Sequence, residues 1–224
     1  MPTADATLRS TPETVSWGWI SAQRAPVLRI RAGQSARIET VSHQGLNTQL
    51  DPVAFFGQAG IAKDAVLEDA CEVYRALRRP EGAGPHLVTG PVYVEEAEPG
   101  DLLEVRVLDV EIRVPYGVNA TGPGSGAAPD LLPEPAQRII RLDTARGVAL
   151  FAPGVEVPLA PFLGCIGVAP AMGEARSTIV PGPFGGNMDC WEVRPGNTVH
   201  LGVNVPGAML SVGDRKSTRL NSSH

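Results

Sequence analysis

A mainly β fold, β-sandwich-like with one amphipathic helix, is predicted by three features of the sequence. Short apolar runs separated by turns recur along the chain. The 25 Gly and 21 Pro, about a fifth of the 224 residues, imply many turns and no long helices. Only one stretch carries the helical period. With 43% hydrophobic residues the chain can bury the core of one large domain. That domain is expected over 1–213, incomplete at its C-terminal end, with 214–224 set apart.

The elements follow in order. Residues 27–30 (VLRI) and 36–41 (ARIETV) read as hairpin strands around a Gly-containing turn at 32–35. From 62 to 78, Val66, Ala70, Val73 and Leu77 recur at spacings of four, three and four, with charged side chains mostly on other faces. This is the expected helix, and Pro80 stops it because proline cannot continue the hydrogen-bond ladder. Strands follow at 91–95 and 102–114, joined by a turn at 97–101. Residues 115–135, rich in Pro and Gly, read as a long loop. Strands resume at 138–142, 148–151, 155–159, 166–169 and 198–203.

Charge and composition exclude several partners. The 19 Lys and Arg stand against 24 Asp and Glu, a net of −5, and no like-charge run could track a phosphate backbone, so nucleic acid is not expected. No stretch approaches the ~18–20 apolar residues of a membrane helix. The N-terminus has neither a basic start nor an apolar signal core, which leads to an expectation of a cytoplasmic protein. Cys71, Cys165 and Cys190 lie far apart, so disulfides and cysteine zinc knuckles are not expected.

Two polar spots could carry chemistry. In Gly84-Pro85-His86-Leu87-Val88-Thr89-Gly90-Pro91 a histidine enters a strand from a Gly/Pro turn. It reads either as a metal ligand or general base, or as a structural histidine bonded to a loop carbonyl. In Gly182-Pro183-Phe184-Gly185-Gly186-Asn187-Met188-Asp189-Cys190 the paired glycines allow close backbone approach and an anion- or oxyanion-binding nest. Asn187 and Asp189, two apart, point to one side of an extended segment and could hold a metal and a substrate amide; the alternative is a turn before the next strand. Ser125, within Gly122-Pro123-Gly124-Ser125-Gly126, lacks the strand-turn-helix context of a nucleophile and reads as a loop residue.

These residues resemble the acetamidase/formamidase family of amide hydrolases. The resemblance runs through His86-Leu87-Val88-Thr89-Gly90-Pro91-Val92-Tyr93-Val94-Glu95 and Ala97-Glu98-Pro99-Gly100-Asp101. It continues in Val157-Pro158-Leu159-Ala160-Pro161-Phe162-Leu163-Gly164, in Gly185-Gly186-Asn187-Met188-Asp189 and in Pro206-Gly207-Ala208-Met209-Leu210-Ser211-Val212-Gly213. Glu96 stands where the family motif has Gly.

The resemblance implies hydrolysis of a short linear amide to a carboxylate and ammonia by water activated on a divalent metal, zinc being the expected ion. His86 and Asp189 are the candidate metal ligands. Asn187 and the Gly185 and Gly186 amides are the candidate substrate contacts, and Asp101 is assigned to its turn. A homo-oligomer is also implied.

The segment 214–224 (DRKSTRLNSSH) resembles a translated sequencing-library adapter; the family's counterpart of Ser211-Val212-Gly213-Asp214 runs on into an x-H-A-x-Q-G-D-G-E stretch bearing further site groups, and here that place is filled by RKSTRLNSSH. The chain as written is therefore expected to be inactive and poorly stable. Two other readings are a noncatalytic β module, binding a small ligand or a partner through 116–135, and a cysteine amidase using Cys190.

Overall fold

The computed structural model describes residues 3–124, 130 and 133–216. The N-terminal part carries five short strands: β1 (Ala6–Leu8), β2 (Val15–Trp17), β3 (Trp19–Ser21), β4 (Leu28–Arg31) and β5 (Ala36–Ile38). Helix α1 (Pro52–Gly57), a 3-10 turn at Lys63–Ala65 and helix α2 (Glu68–Ala76) follow. Next come β6 (Leu87–Glu95), β7 (Leu102–Arg106), β8 (Tyr116–Thr121), β9 (Ala136–Asp143), β10 (Val148–Ala152) and β11 (Val155–Pro158). The described chain closes with β12 (Phe162–Gly167), β13 (Ala175–Ser177), β14 (Gly185–Asn187), β15 (Thr198–Gly202) and β16 (Leu210–Lys216). The fold is mainly β, as the sequence predicts.

The central sheet runs β14-β12-β16-β6-β2, and β4 also pairs with β6. β6 is buried through nearly its whole length, with Val92 at 0% exposure, because sheet neighbours flank it and packed layers cover its faces. It contains Pro91, which cannot donate to a ladder. The strand accommodates it at a handover: β2 pairs with 87–89, β4 pairs in parallel with 92–95, and across the strand β16 shifts register between Leu210 and Val212.

The largest core cluster lies between this sheet and the β7–β15 ribbon, joining Val88, Val92, Cys165 and Ile166 to Leu201 and Val203. A second cluster seats α2, through Ala70 and Val73, on Val41, Trp17 and Leu87. A third packs Phe55 and Phe56 of α1 against Tyr116 and Ile139 of the four-stranded sheet β11-β10-β9-β8. Among the described residues no helix is long and apolar enough to cross a membrane.

Several local expectations are corrected. β4 and β5 do not form a hairpin: β5 pairs in parallel with β1, and β4 with β6. The single helix over 62–78 is a 3-10 turn and then α2, because Val66 and Leu67 between them are extended. A second helix, α1, starts at Asp51, whose carboxylate accepts from the amides of Val53 and Ala54 at 2.9 and 3.1 Å, with Pro52 in the first turn. The strand expected over 102–114 ends at Arg106. The segment 115–135 is partly regular, since Tyr116–Thr121 forms β8 against β9. Ser125 and residues 217–224 lie outside the described residues.

Candidate active site

His86 immediately precedes β6, and glycines fix how it is held. A Cβ on Gly84 would lie 2.3 Å from Thr178 Oγ1, and one on Gly18 would lie 2.4 Å from the Gly84 carbonyl oxygen, so neither position admits a side chain. The close contact brings Thr178, fully buried, against the imidazole: His86 Nδ1 lies 2.9 Å from the Thr178 carbonyl oxygen. A carbonyl can only accept, so Nδ1 carries a proton and Nε2 is the nitrogen turned toward the site.

Nε2 faces Asp214 Oδ2 at 3.6 Å, with both side chains less than a tenth exposed. Asp214 is set there by its neighbour Gly213, where a Cβ would come within 2.0 Å of the Leu87 carbonyl oxygen; glycine alone lets β16 lie this close to β6. The third member is His43, from the loop between β5 and α1. Its ring stands edge-on to His86, centroids 5.2 Å apart, and its Nδ1 is 4.0 Å from Asp214 Oδ1. Two imidazoles and one carboxylate thus share a buried pocket at one end of the central sheet.

Asp189 lies at the same sheet end. Its amide donates to the Gly164 carbonyl at 3.0 Å, beside β12, the strand that pairs with β16. The Asp214 carboxylate lies 3.6 Å from His86 Nε2. Asn187 is buried in β14 opposite Cys165, and among the described residues its Oδ1 accepts no hydrogen bond.

Gly185 and Gly186 have φ of +86° and +100°, a region that favours glycine. The Gly185 amide is not offered to a ligand: it donates to the Gly182 carbonyl at 2.8 Å. Gly186 lies opposite Ile166 in the ladder. The glycine pair shapes the strand that presents Asn187.

Asp101 accepts at Oδ2 from the Glu98 amide at 2.9 Å and so closes its turn. Burial pushes the Cys190 thiol above its usual pKa, helped by its hydrogen bond to Glu192, and the Sγ proton points at Glu192 Oε2, 3.1 Å away. The thiolate a cysteine nucleophile needs is disfavoured there.

Sequence reasoning missed His43 and Asp214 as members of this pocket. His43 stands alone in a loop with no motif around it, and Asp214 was set apart with the tail. The only local signal for His43 is Gly45 two residues on, with φ +85°.

Whether a zinc ion suits these residues can be judged from their spacing. The 3.6 Å between His86 Nε2 and Asp214 Oδ2 is too long for a hydrogen bond. It is close to the ~3.4 Å separating two ligands of a tetrahedral zinc with ~2.1 Å bonds. Among the described residues no three His, Cys, Asp or Glu close on a single point as a full metal-binding group. The chemistry of the donors, imidazole with carboxylate, is nevertheless that of zinc.

A mainly β fold with buried imidazole and carboxylate groups at a strand end defines a class of candidate hydrolytic sites. Comparison with known proteins makes this specific. The model of the Acetamidase/Formamidase family matches residues 72–173. The solved acetamidase of Bacillus halodurans is 28% identical, with a TM-score of 0.71 over 95% of this chain and 62% of its own. A predicted acetamidase/formamidase of Thermoanaerobacter tengcongensis is 27% identical, with a TM-score of 0.72 over 95% of this chain and 61% of its own. A Schizosaccharomyces pombe protein named as a candidate formamidase is 26% identical over 58% of this chain and 45% of its own length. Over residues 72–173 the chain is similar to the acetamidase/formamidase family, and its fold is that of the solved acetamidases. It spans less than half of the yeast relative and about three fifths of the solved acetamidases.

Proposed function

We propose that the protein hydrolyses the carbon–nitrogen bond of short linear amides, of the size of formamide or acetamide, giving a carboxylate and ammonia. One observation carries the reading. His86 Nδ1 donates to the Thr178 carbonyl, and this turns Nε2 toward the Asp214 carboxylate, 3.6 Å away and buried with it. An imidazole nitrogen and a carboxylate oxygen at that spacing match two ligands of one divalent cation. Zinc is the ion proposed, with His86, Asp214 and Asp189 as the candidate ligands and His43 beside them. When bound, zinc polarises a carbonyl oxygen and lowers the pKa of water from ~16 toward 7. The family and the names of its relatives support amide hydrolysis as the reaction.

The chain's own residues have separate roles. Thr178 orients His86. Asn187 Oδ1, buried and accepting no hydrogen bond among the described residues, accepts from the amide nitrogen of the substrate. Gly185 and Gly186 set the path of the strand that carries it.

The test is ammonia release from formamide and acetamide by the purified protein, before and after chelation and on zinc return, alongside metal content. His86→Ala is expected to lower turnover more than about 100-fold and to reduce bound zinc. Turnover indifferent to chelation, or unchanged zinc content in a folded His86→Ala protein, defeats the metal assignment. No turnover on either amide by a zinc-loaded protein that carries the family's x-H-A-x-Q-G-D-G-E stretch in place of RKSTRLNSSH favours a ligand-binding module.

A further inference from the structure

We propose that Arg113 is a positioning residue for His43: with Asp69 and Glu39 it forms a partly buried clasp that holds the segment running from β5 into the pocket. The inference rests on reading His43, His86 and Asp214 as one site. Arg113 Nη2 lies 2.8 Å from Asp69 Oδ2 on α2 and 3.5 Å from Glu39 Oε2 just after β5. Its Nη1 donates to the Thr40 carbonyl at 3.3 Å. The side chains of Arg113, Glu39 and Asp69 are 17, 18 and 6% exposed, and the mostly exposed Arg9, 3.9 Å from Glu39 and 3.8 Å from Asp69, supplies the second positive charge that balances the two carboxylates.

The grip on residues 39 and 40 transmits directly to His43. The Glu39 carbonyl accepts from Ser10 Oγ at 2.6 Å, and Ser10 Oγ lies 3.0 Å from Thr89 Oγ1 in β6, three residues beyond His86. Val41, 3% exposed, packs in the same cluster as Leu87, the neighbour of His86. Backbone and side chain of this segment are thus tied to the strand that carries His86, and His43 follows Val41 by two residues. A fork that satisfies two carboxylates and a carbonyl at once is a task for arginine rather than lysine.

The experiment uses the full chain and two readouts. Carbethoxylation by diethyl pyrocarbonate, followed residue by residue by mass spectrometry, reports how well His43 is held. Titration with Co2+, followed by its visible spectrum, reports the pocket without requiring turnover. Arg113→Met should raise His43 labelling about ten-fold and weaken cobalt binding about ten-fold. Labelling of His200, which is half exposed on the surface, should not change, whereas a general loosening of the fold would raise both. Arg146→Gln, at an exposed arginine that pairs with Glu156 of the four-stranded sheet rather than with the clasp, should leave both readouts as in the wild type.

Unaltered His43 labelling in a folded Arg113→Met protein overturns the clasp. Should that variant fail to fold, Arg113→Lys and Asp69→Asn are read instead; each must loosen His43 selectively, and an unchanged His43 in both overturns the inference. A wild-type protein that binds no cobalt sinks the site reading separately, and the His43 labelling still decides the clasp.

Discussion

At Gly213 the absence of a side chain is what lets the two site-bearing strands meet. A Cβ there would stand 2.0 Å from the Leu87 carbonyl, a backbone atom with no freedom to turn aside. Gly213→Ala must therefore push β16 away from β6, at a cost of about 2–3 kcal/mol, measured by urea unfolding. The same shift would widen the 3.6 Å gap between His86 and Asp214, so metal affinity should fall with stability. Gly117 is the contrasting position, with nothing within 4 Å of an added Cβ and no positive φ. Gly117→Ala should leave stability unchanged or raise it by about 0.4–1 kcal/mol, by restricting the unfolded chain.

Helix α2 is held by one face. Val73 is fully buried in the cluster with Trp17, Val41 and Leu87, and Val73→Ala should cost about 2 kcal/mol in unfolding free energy. Arg75, paired with Glu68 at 2.7 Å but 63% exposed, should lose less than about 0.5 kcal/mol as Arg75→Ala, because water and salt screen the pair. The burying face of α2 was legible because Val66, Ala70, Val73 and Leu77 keep a helical spacing. What local spacing does not carry is where the helix begins: Leu67 offers no side-chain cap, and the chain before it is extended. Helix α1 did carry a signal, the Asp51-Pro52 pair of a cap and a first-turn proline, on a helix too short to show a period. Strand partners are a different matter. β4 and β5 look like a hairpin because they are near neighbours in sequence, yet each finds a parallel partner elsewhere, a choice made by distant packing that no local pattern records.

For the molecule as a whole the same division holds: His86, Asn187 and Asp189 stood out through their Gly-rich surroundings, while His43 reaches the pocket only through tertiary contacts. The cluster that joins α1 to the four-stranded sheet makes one more global property testable. Tyr116 is 7% exposed at its centre, its ring 4.5 Å from that of Phe56, and burial pushes its phenol from the usual value of 10 up to about 12. A raised value means that the fold favours the protonated phenol, while the unfolded chain ionises near its ordinary value. The contribution is thus fully present below about pH 10 and is lost as pH rises through about 12, where the folded phenol would itself ionise. Melting temperature followed across this range, with phenolate absorbance as the second signal, should show an alkaline loss of stability. Tyr116→Phe keeps the ring and removes the ionisable group, and should abolish the part of that loss that belongs to this cluster. An identical alkaline decline in the wild type and in Tyr116→Phe would place the sensitivity elsewhere and separate the cohesion of α1 with the four-stranded sheet from the titration of this phenol.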